Sequence, residues 1–284
     1  MFGCALALAL CNSPTMAVER PEAVPKATQA PEASMLLTGR ISIDPAGHVT
    51  GYAIDKREKV PAAVAAMIDR KLPHWTFEPV RNEDGAPAAA EATMRLLVLA
   101  HKDDNTHYLI GIHSAAFDDK ADAGPGRFVT SKQMKVPTYP AGPLRYGVSG
   151  TAYLVLRIDQ AGRATLPFVK QVNLRSLGTQ AQMEQWREAF ASNTLRAAAD
   201  WTFNPPTTGR DAARGHWDVA VPVNYTMHGD VAGYGEWEFY LPGPHQDAPW
   251  MEPDYSTSSN EALPEGTPHL AGTGWHLLTP LSDG

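Results

Sequence analysis

The chain has 284 residues, a net charge of -7 and a pI of about 5.8, and it contains no block of Lys or Arg. Proteins that bind nucleic acid or an anionic membrane surface usually carry a basic patch, so this charge balance argues against both functions. The 23 Gly and 24 Pro residues exceed average usage and predict long connections or tails.

The N-terminus carries an apolar run, residues 2–11, that has the length of a secretory signal and is too short to span a bilayer. Small residues follow at 15–17, so we predict a signal peptide over 1–17 and export to a Gram-negative type of periplasm. No Lys or Arg precedes the run, which leaves two alternatives: a longer true N-terminus that associates with the membrane, or a segment that is not a signal. Both cysteines, Cys4 and Cys11, lie here, so a processed chain would have none for disulfides or metal binding.

Residues 18–34 are rich in Pro, Ala and Glu and have no apolar period, which predicts an extended linker. A first module is predicted over 35–116. Strands are predicted where apolar and polar residues alternate, and a helix where apolar residues recur every three or four positions. The predicted elements are a strand over 37–43, a type I turn at Asp44–Gly47, a strand over 48–55, a helix that begins at Pro61 and is ended by Pro73, and strands over Thr93–Ala100 and Tyr108–Ala115.

Residues 117–134 are polar and contain glycine, and we interpret them as a linker to a second module over 135–228. Its last strand has the cleanest alternation in the chain, with apolar side chains at every second position from Trp217 to Tyr225. The predicted elements are a strand over 152–158, a turn at Asp159–Gly162, a strand over Arg163–Val172, a helix with apolar positions from Met183 to Trp201, and a strand over Trp217–Tyr225.

Residues 229–284 have no sustained period but are aromatic. We expect this tail to pack against the folded part of the chain, most simply against the second module, and a short strand is predicted over 236–241. The aromatic residues of the tail include Trp237, Phe239, Tyr240, Trp250, Tyr255 and Trp275.

One pattern occurs twice along the chain. The first copy consists of Ile43–Gly47 followed by Trp75–Pro79, and the second consists of Ile158–Gly162 followed by Trp201–Pro205. Such an internal repeat predicts that one supersecondary unit is used twice. Each Trp closes an amphipathic helix, where an aromatic side chain is usually a core anchor and not a ligand-binding group.

The second module also carries an ordered set of short motifs. They are Tyr139-Pro140, Gly147-Val148-Ser149-Gly150, Asp159–Gly162, Trp201–Pro205, and Val219-Ala220-Val221-Pro222-Val223 followed by Tyr225. In this order and spacing, over 135–227, they resemble the C-terminal domain of TonB-type energy transducers. The first module looks like a degenerate copy, because it lacks the Tyr-Pro opening and the Val-Pro strand.

The resemblance implies an α+β fold with two TonB-C-terminal-like domains, each a small antiparallel sheet with a helix packed on one face. It also implies a periplasmic protein-binding function linked to TonB-dependent transmembrane transport. In the family, an extended peptide from an outer-membrane transporter is added to the sheet as a further strand. Main-chain hydrogen bonds then supply affinity, and alternate side chains supply specificity.

The strand Trp217–Tyr225 matches the position of the family's recognition strand. The partner-binding residues predicted on its edge are Asp218, Ala220, Pro222, Asn224 and Thr226. Pro222 has no amide hydrogen and therefore suits an edge strand. It either belongs to an edge that is open to a partner or protects that edge from pairing, and the sequence leaves both alternatives open.

Two features depart from the family pattern. The apolar run at the N-terminus is too short to be the transmembrane anchor that energy transduction requires, and the linker over 18–34 is short. The doubled module with its long tail is the second departure. The alternative function is therefore that of a structural or self-associating periplasmic protein, whose sheet edges pair within a homodimer or are capped by the tail.

No enzyme activity, cofactor or metal is predicted. Asp44 and Asp159 recur at matching positions, but the turn accounts for both of them. His101, His107 and His113 fall on one predicted hairpin without a carboxylate or thiol at matching positions, and surface histidines are more common than ligands. The chain has no nucleophile-elbow, dinucleotide-binding or phosphate-loop motif.

Overall fold

The computed structural model describes residues 30–82, 84–102, 108–119, 124–209, 211–227, 232–251, 263, 266–271 and 274–281. The predicted signal peptide, most of the predicted N-terminal linker and His107 lie outside the described residues. Among those residues, no helix has the length and apolar character needed to cross a membrane.

The chain forms strands and helices in an order close to the predicted one. The strands are β1 (Glu32–Ile43), β2 (Val49–Ile54), β3 (Ala90–Lys102), β4 (Tyr108–Asp119), β5 (Thr130–Gln133), β6 (Gly150–Ile158), β7 (Ala164–Leu174), β8 (Thr202–Asn204), β9 (Trp217–Tyr225), β10 (Glu238–Tyr240) and β11 (His269–Leu270), and the helices are α1 (Ala62–Lys71), α2 (Ala141–Arg145) and α3 (Gln180–Ala198).

The strands build two large antiparallel sheets. The first sheet has the order β10-β1-β3-β4, with β2 also paired to β1, and the second has the order β11-β9-β6-β7. Strands β5 and β8 form a small third sheet. The antiparallel sheets and the three helices confirm the α+β class. The division into two independently folding domains stays a prediction.

Each large sheet has its own hydrophobic core beneath one long helix. In the first core, the α1 residues Val64 and Ile68 are fully buried and pack with residues of β1 and β3. In the second core, Trp186 and Phe190 of α3 pack with residues of β6 and β9. The helical spacing of apolar residues therefore gave the correct buried face in both copies.

The repeated pattern has the same backbone hydrogen bonds in both copies. The Gly47 N–H donates to the Asp44 carbonyl at 3.0 Å, and the Gly162 N–H donates to the Asp159 carbonyl at 2.9 Å. The carbonyl of each glycine then accepts from the amide of the repeated Phe, at 2.9 Å in the first copy and 2.7 Å in the second. In each copy of the pattern, the turn is thus hydrogen-bonded to the Trp-Thr-Phe segment of the same copy.

Glycine is required at the end of this turn. Gly47 and Gly162 have φ values of 89° and 79°, which side chains rarely adopt. A Cβ at either position would meet the carbonyl oxygen of the following Phe at 2.1 or 2.2 Å. The repeated glycine therefore serves both the turn and the close approach of the next segment.

The repeated aspartates serve the same turn. Asp44 Oδ1 accepts from the amides of Ala46 and His48, both at 2.9 Å. In the second copy, Asp159 Oδ1 accepts two amides in the same way. The backbone bonds from the residues that follow the turns, His48 and Arg163, are the main reason that the pKa of both carboxyls is lowered.

The tail packs against the folded part of the chain as expected, but it contacts both large sheets and not simply the second. Strand β10 pairs with Glu32–Ser34 of β1 in the first sheet, and Trp275 is buried in the first core. Leu241 is buried in the second core, and β11 pairs with β9. The reason lies in β1: β2 covers only its C-terminal half, and a bare strand edge accepts further backbone.

Part of the predicted linker over 117–134 is ordered structure. Strand β5 pairs with β8, which belongs to the repeated Trp-Thr-Phe phrase of the second copy. Val129, just before β5, is buried in the second core. The connection between the copies is therefore anchored to the second one by both backbone and side chain.

Candidate functional site: the outer edge of strand β9

Strand β9 lies beside β6 and has two chemically different faces. Val219, Val221 and Val223 point to the second core, where Val219 and Val221 are fully buried. The even-numbered residues point to the opposite face. The register with β6 runs from Gly150–Tyr225 to Ile158–Trp217 without a bulge, so the alternation predicted from the sequence is confirmed.

The backbone of the even-numbered residues faces away from β6. The carbonyl of Asp218 accepts from the Ala271 amide at 2.8 Å, and the carbonyl of Pro222 accepts from the Gly266 amide at 3.0 Å. In an antiparallel strand, the N–H and C=O of one residue point to the same side. Asp218, Ala220, Pro222 and Asn224, all predicted as partner-binding residues, are therefore the residues that present their backbone to the outer edge.

The sequence left open whether this outer edge is accessible to a partner or protected from pairing, and in the structure it is partly covered by the tail of the same chain. His269 of β11 pairs with Ala220, and Leu270 pairs with Val219. The ladder has only these two positions, with the Gly266 and Ala271 bonds on either side. The sequence gives no signal for β11, because two residues are too few to show an alternating pattern.

The side chains of the predicted residues differ in their environments. Asp218 accepts hydrogen bonds from Arg157 of β6 at 2.7 and 2.9 Å, while the Arg157 guanidinium lies 5.1 Å from the centre of the Trp250 ring. Ala220 is buried in a small cluster with Val155 and Ala248. These contacts fix the first half of the edge in place.

The second half of the edge is more accessible. Asn224 is half-buried, and its Oδ1 accepts from the Thr151 hydroxyl at 2.6 Å. Thr226 is half-buried and lies just beyond the last residue of β9. Neither residue pairs with β11 in the described part of the chain. This end of the edge is therefore the part that is most accessible to an additional strand.

A cleft of about 310 Å³ adjoins this end of β9 and lies between the two large sheets. It contains an ion pair between Arg175, just after β7, and Glu238 of β10. Arg175 also donates to the Thr151 hydroxyl at 3.0 Å, so the bond network of Asn224 continues into the cleft. Residues from both sheets line the cleft, including Ser34, Leu97, Thr151, Pro222, Asn224 and Tyr240.

The first sheet shows how the equivalent edge looks when it is fully covered. Strand β3 occupies the place of β9, because each follows the helix of its copy and pairs with the first strand of its sheet. The outer edge of β3 is paired with β4 over Ala92–Lys102, with one bulge. The chain itself therefore supplies an antiparallel strand to this position in the first copy.

The other residues considered from the sequence are not brought together. Asp44 and Asp159 are turn residues, and each accepts hydrogen bonds within its own turn. His101 and His113 are exposed on β3 and β4. Within the described ranges, no three His, Cys, Asp or Glu residues are grouped as a metal site.

A comparison with curated proteins places part of the chain near TonB. The chain is 30% identical over 108 residues to the protein TonB of Xanthomonas campestris pv. campestris strain B100, and equally to that of strain ATCC 33913. The match covers 38% of this chain and 42% of each TonB, so less than half of those proteins is represented. No family profile and no solved structure matches the chain. The TonB C-terminal-like relationship expected from the motifs is confirmed.

Proposed function

We propose that this chain is a periplasmic TonB-like protein-binding module that takes up an extended peptide of a partner along the outer edge of β9. The relationship to TonB supports a transport-related, periplasmic role. The observation that carries the binding site is the short cover on β9. Among the described residues, Val219 and Ala220 pair with β11, and the carbonyls of Asp218 and Pro222 accept bonds from Ala271 and Gly266. The cover therefore stops short of Asn224, although the strand is nine residues long. A long strand with a short cover leaves backbone groups for a visiting strand.

The pairing of β11 indicates which side chains an added strand needs. Leu270 opposes Val219 and packs on the second core, so an apolar residue is favoured at this position. His269 opposes Ala220 on the other face. A partner peptide therefore needs an alternating pattern to fit, and it either displaces β11 or pairs beyond it at Asn224.

We infer that the partner is a periplasm-facing segment of an outer-membrane transporter. This inference rests on the relationship to TonB and on the strand-addition geometry of β9. The binding step requires no chemical transformation, and we propose neither catalysis nor a cofactor for this chain.

The test is a pair of substitutions at Asn224. Asn224→Pro removes the outward N–H, whereas Asn224→Ala keeps the N–H and removes only the side-chain bond to Thr151. Synthetic peptides that copy periplasm-facing transporter segments are titrated into each variant by calorimetry, with the melting temperature as the control for folding. We expect Asn224→Pro to weaken binding at least tenfold relative to Asn224→Ala. Equal affinities in two folded variants would count against strand addition at this edge.

Self-association is the second candidate function, and the position of β4 favours it. This strand has twelve residues, is the outermost strand on its side of the first sheet, and exposes Tyr108 and Leu109. A second copy could pair with it edge to edge. Light scattering over a hundredfold range of protein concentration tests this function, which predicts a dimer, and a monomer throughout would exclude it.

A further inference from the structure

Strand β11 is paired with the second sheet, and its histidine lies near charged groups of the first. On one side its backbone pairs with β9 at Val219 and Ala220. On the other side, the ionisable groups that act on His269 are Arg95 of β3 and Asp118 of β4, both in the first sheet. The backbone of β11 is thus paired with the second sheet, while its ionisable side chain is influenced by charges of the first sheet.

The docked histidine is short of hydrogen bonds. Its Nε2 atom is buried and has no hydrogen-bond partner within the described part of the chain. Arg95, whose charge acts on His269, is nearly buried and pairs with the half-exposed Asp118 at 2.5 Å. A buried ring nitrogen without a partner destabilises the docked position of β11.

The docked position also disfavours a charged imidazole. Burial, and after it the positive charge of Arg95, lower the pKa of His269 from 6.5 to about 4, while Asp118 opposes them weakly. On β9 the nearest ionisable residue to the paired positions is Asp218, which is committed to Arg157 at 2.7 Å. Near neutral pH, His269 is therefore uncharged when β11 is docked.

The sign of the pH effect follows from the lowered pKa. A histidine that is harder to protonate when docked stabilises docking fully above pH 6.5 and loses that contribution as the pH falls toward 4. With pKa values of 6.5 undocked and about 4 docked, the ratio of docked to undocked β11 falls on the order of 30-fold between pH 7.5 and pH 5. Acid therefore releases this strand selectively.

We propose that β11 is an acid-releasable plug of the β9 edge, in which residues 266–271 close the slot near neutral pH and protonation of His269 opens it. The proposal deepens the proposed function, since the slot that opens is the one assigned to the partner strand. Its own test needs no partner, so the two can fail separately.

The test measures hydrogen exchange of single amides in the full chain at pH 7.5 and pH 5, corrected for the intrinsic effect of pH. The Ala220 amide faces β11, whereas the Val221 amide faces β6 and reports whether the whole sheet opens. We expect the protection of Ala220 to fall on the order of 30-fold, as derived above, while that of Val221 is retained. Unchanged protection of Ala220, or a parallel loss at Val221, would overturn the proposal.

Variants identify the responsible histidine. His269→Asn and His269→Leu do not titrate, so either of them, if docked at pH 7.5, should keep its Ala220 protection at pH 5. His276→Asn is the matched control, because this tail histidine is exposed, and it should behave like the unmodified chain. If both His269 variants lose protection in acid as the unmodified chain does, the plug is not controlled by His269 and the proposal is wrong.

Discussion

Strands β3 and β9 occupy corresponding places in the two large sheets, yet their outer edges are closed very differently. Strand β3 is paired with β4 over Ala92–Lys102. Among the described residues, β9 is paired with β11 at Val219 and Ala220, with single bonds from the tail to Asp218 and Pro222. The matching turn and Trp-Thr-Phe segment occur beside both sheets, but they do not determine what covers the outer edge of the strand after the helix. A long strand covers this edge in the first sheet, and a short one covers part of it in the second.

The largest effect on stability is expected from removing the two Trp side chains that occupy matching positions beside the two sheets. Trp75 and Trp201 are almost fully buried, at 3% and 2% exposure. Replacing either with Ala should lower the free energy of unfolding by about 3–5 kcal/mol, because a large core side chain leaves a cavity. Denaturant unfolding measures this loss. The half-buried Trp250 is the control, since Trp250→Ala should have a smaller effect. A loss below about 1 kcal/mol at either anchor would contradict their equivalence.

Gly47 and Gly162, which end the two matching turns, can be compared in the same way. Gly47→Ala and Gly162→Ala should each destabilise the fold by about 1–3 kcal/mol, because both positions require positive φ. The added Cβ would also press on a carbonyl oxygen. Gly51→Ala is the control: its Cβ would meet nothing within 4 Å, and its effect should stay within about 0.5 kcal/mol. Thermal and denaturant unfolding of the three variants separate these outcomes, and three equal changes would show that the turn is not constrained.

The two long helices begin differently, which predicts an effect in the second copy alone. Thr179 caps α3 in a reciprocal pair with Gln182, whereas α1 begins after Pro61 without a side-chain cap. Thr179→Ala should cost about 1 kcal/mol of unfolding free energy. Thr179→Ser keeps the hydroxyl and should be close to neutral. If the Ser and Ala variants unfold at the same denaturant concentration, the cap contributes nothing.

The smallest expected effect is the acid sensitivity of the two turns. The pKa of Asp44 and of Asp159 is lowered from 3.8, chiefly by backbone hydrogen bonds. Their contribution to stability is therefore present above about pH 4 and is lost as the pH falls further. Asp44→Asn and Asp159→Asn should show a shallower fall in melting temperature between pH 5 and pH 2.5 than the unmodified chain. If the melting temperature of both variants falls with pH as steeply as that of the unmodified chain, the two turns do not contribute to acid sensitivity.

Much of the fold follows from residues that act locally. The alternation in Trp217–Tyr225 gave β9 with its observed bounds, and helical spacing gave the buried faces of α1 and α3. The turns at Asp44 and Asp159 were predicted from residue types that suit only certain backbone angles. These features depend on neighbours in sequence, so one sequence is enough to find them.

The cover on the candidate site could not be predicted in the same way. Strand β11 has two residues, and its place is set by pairing with β9, which lies about fifty positions earlier in the chain. Strand β10 likewise pairs with a strand some two hundred positions earlier in the chain. Such long-range pairings have no local pattern, because the residues that decide them are far apart in sequence.

If a partner strand adds to the outer edge of β9, the backbone amides of that edge should exchange hydrogen more slowly when the partner is bound. Synthetic peptides that copy periplasm-facing transporter segments are added, and the exchange of single amides is compared with and without peptide. Strand addition predicts new protection at Asn224, continued protection at Ala220, and faster exchange at His269 and Ala271 if β11 is displaced. Protection that appears along β4, or on α3, with no change at Asn224 would contradict the claim.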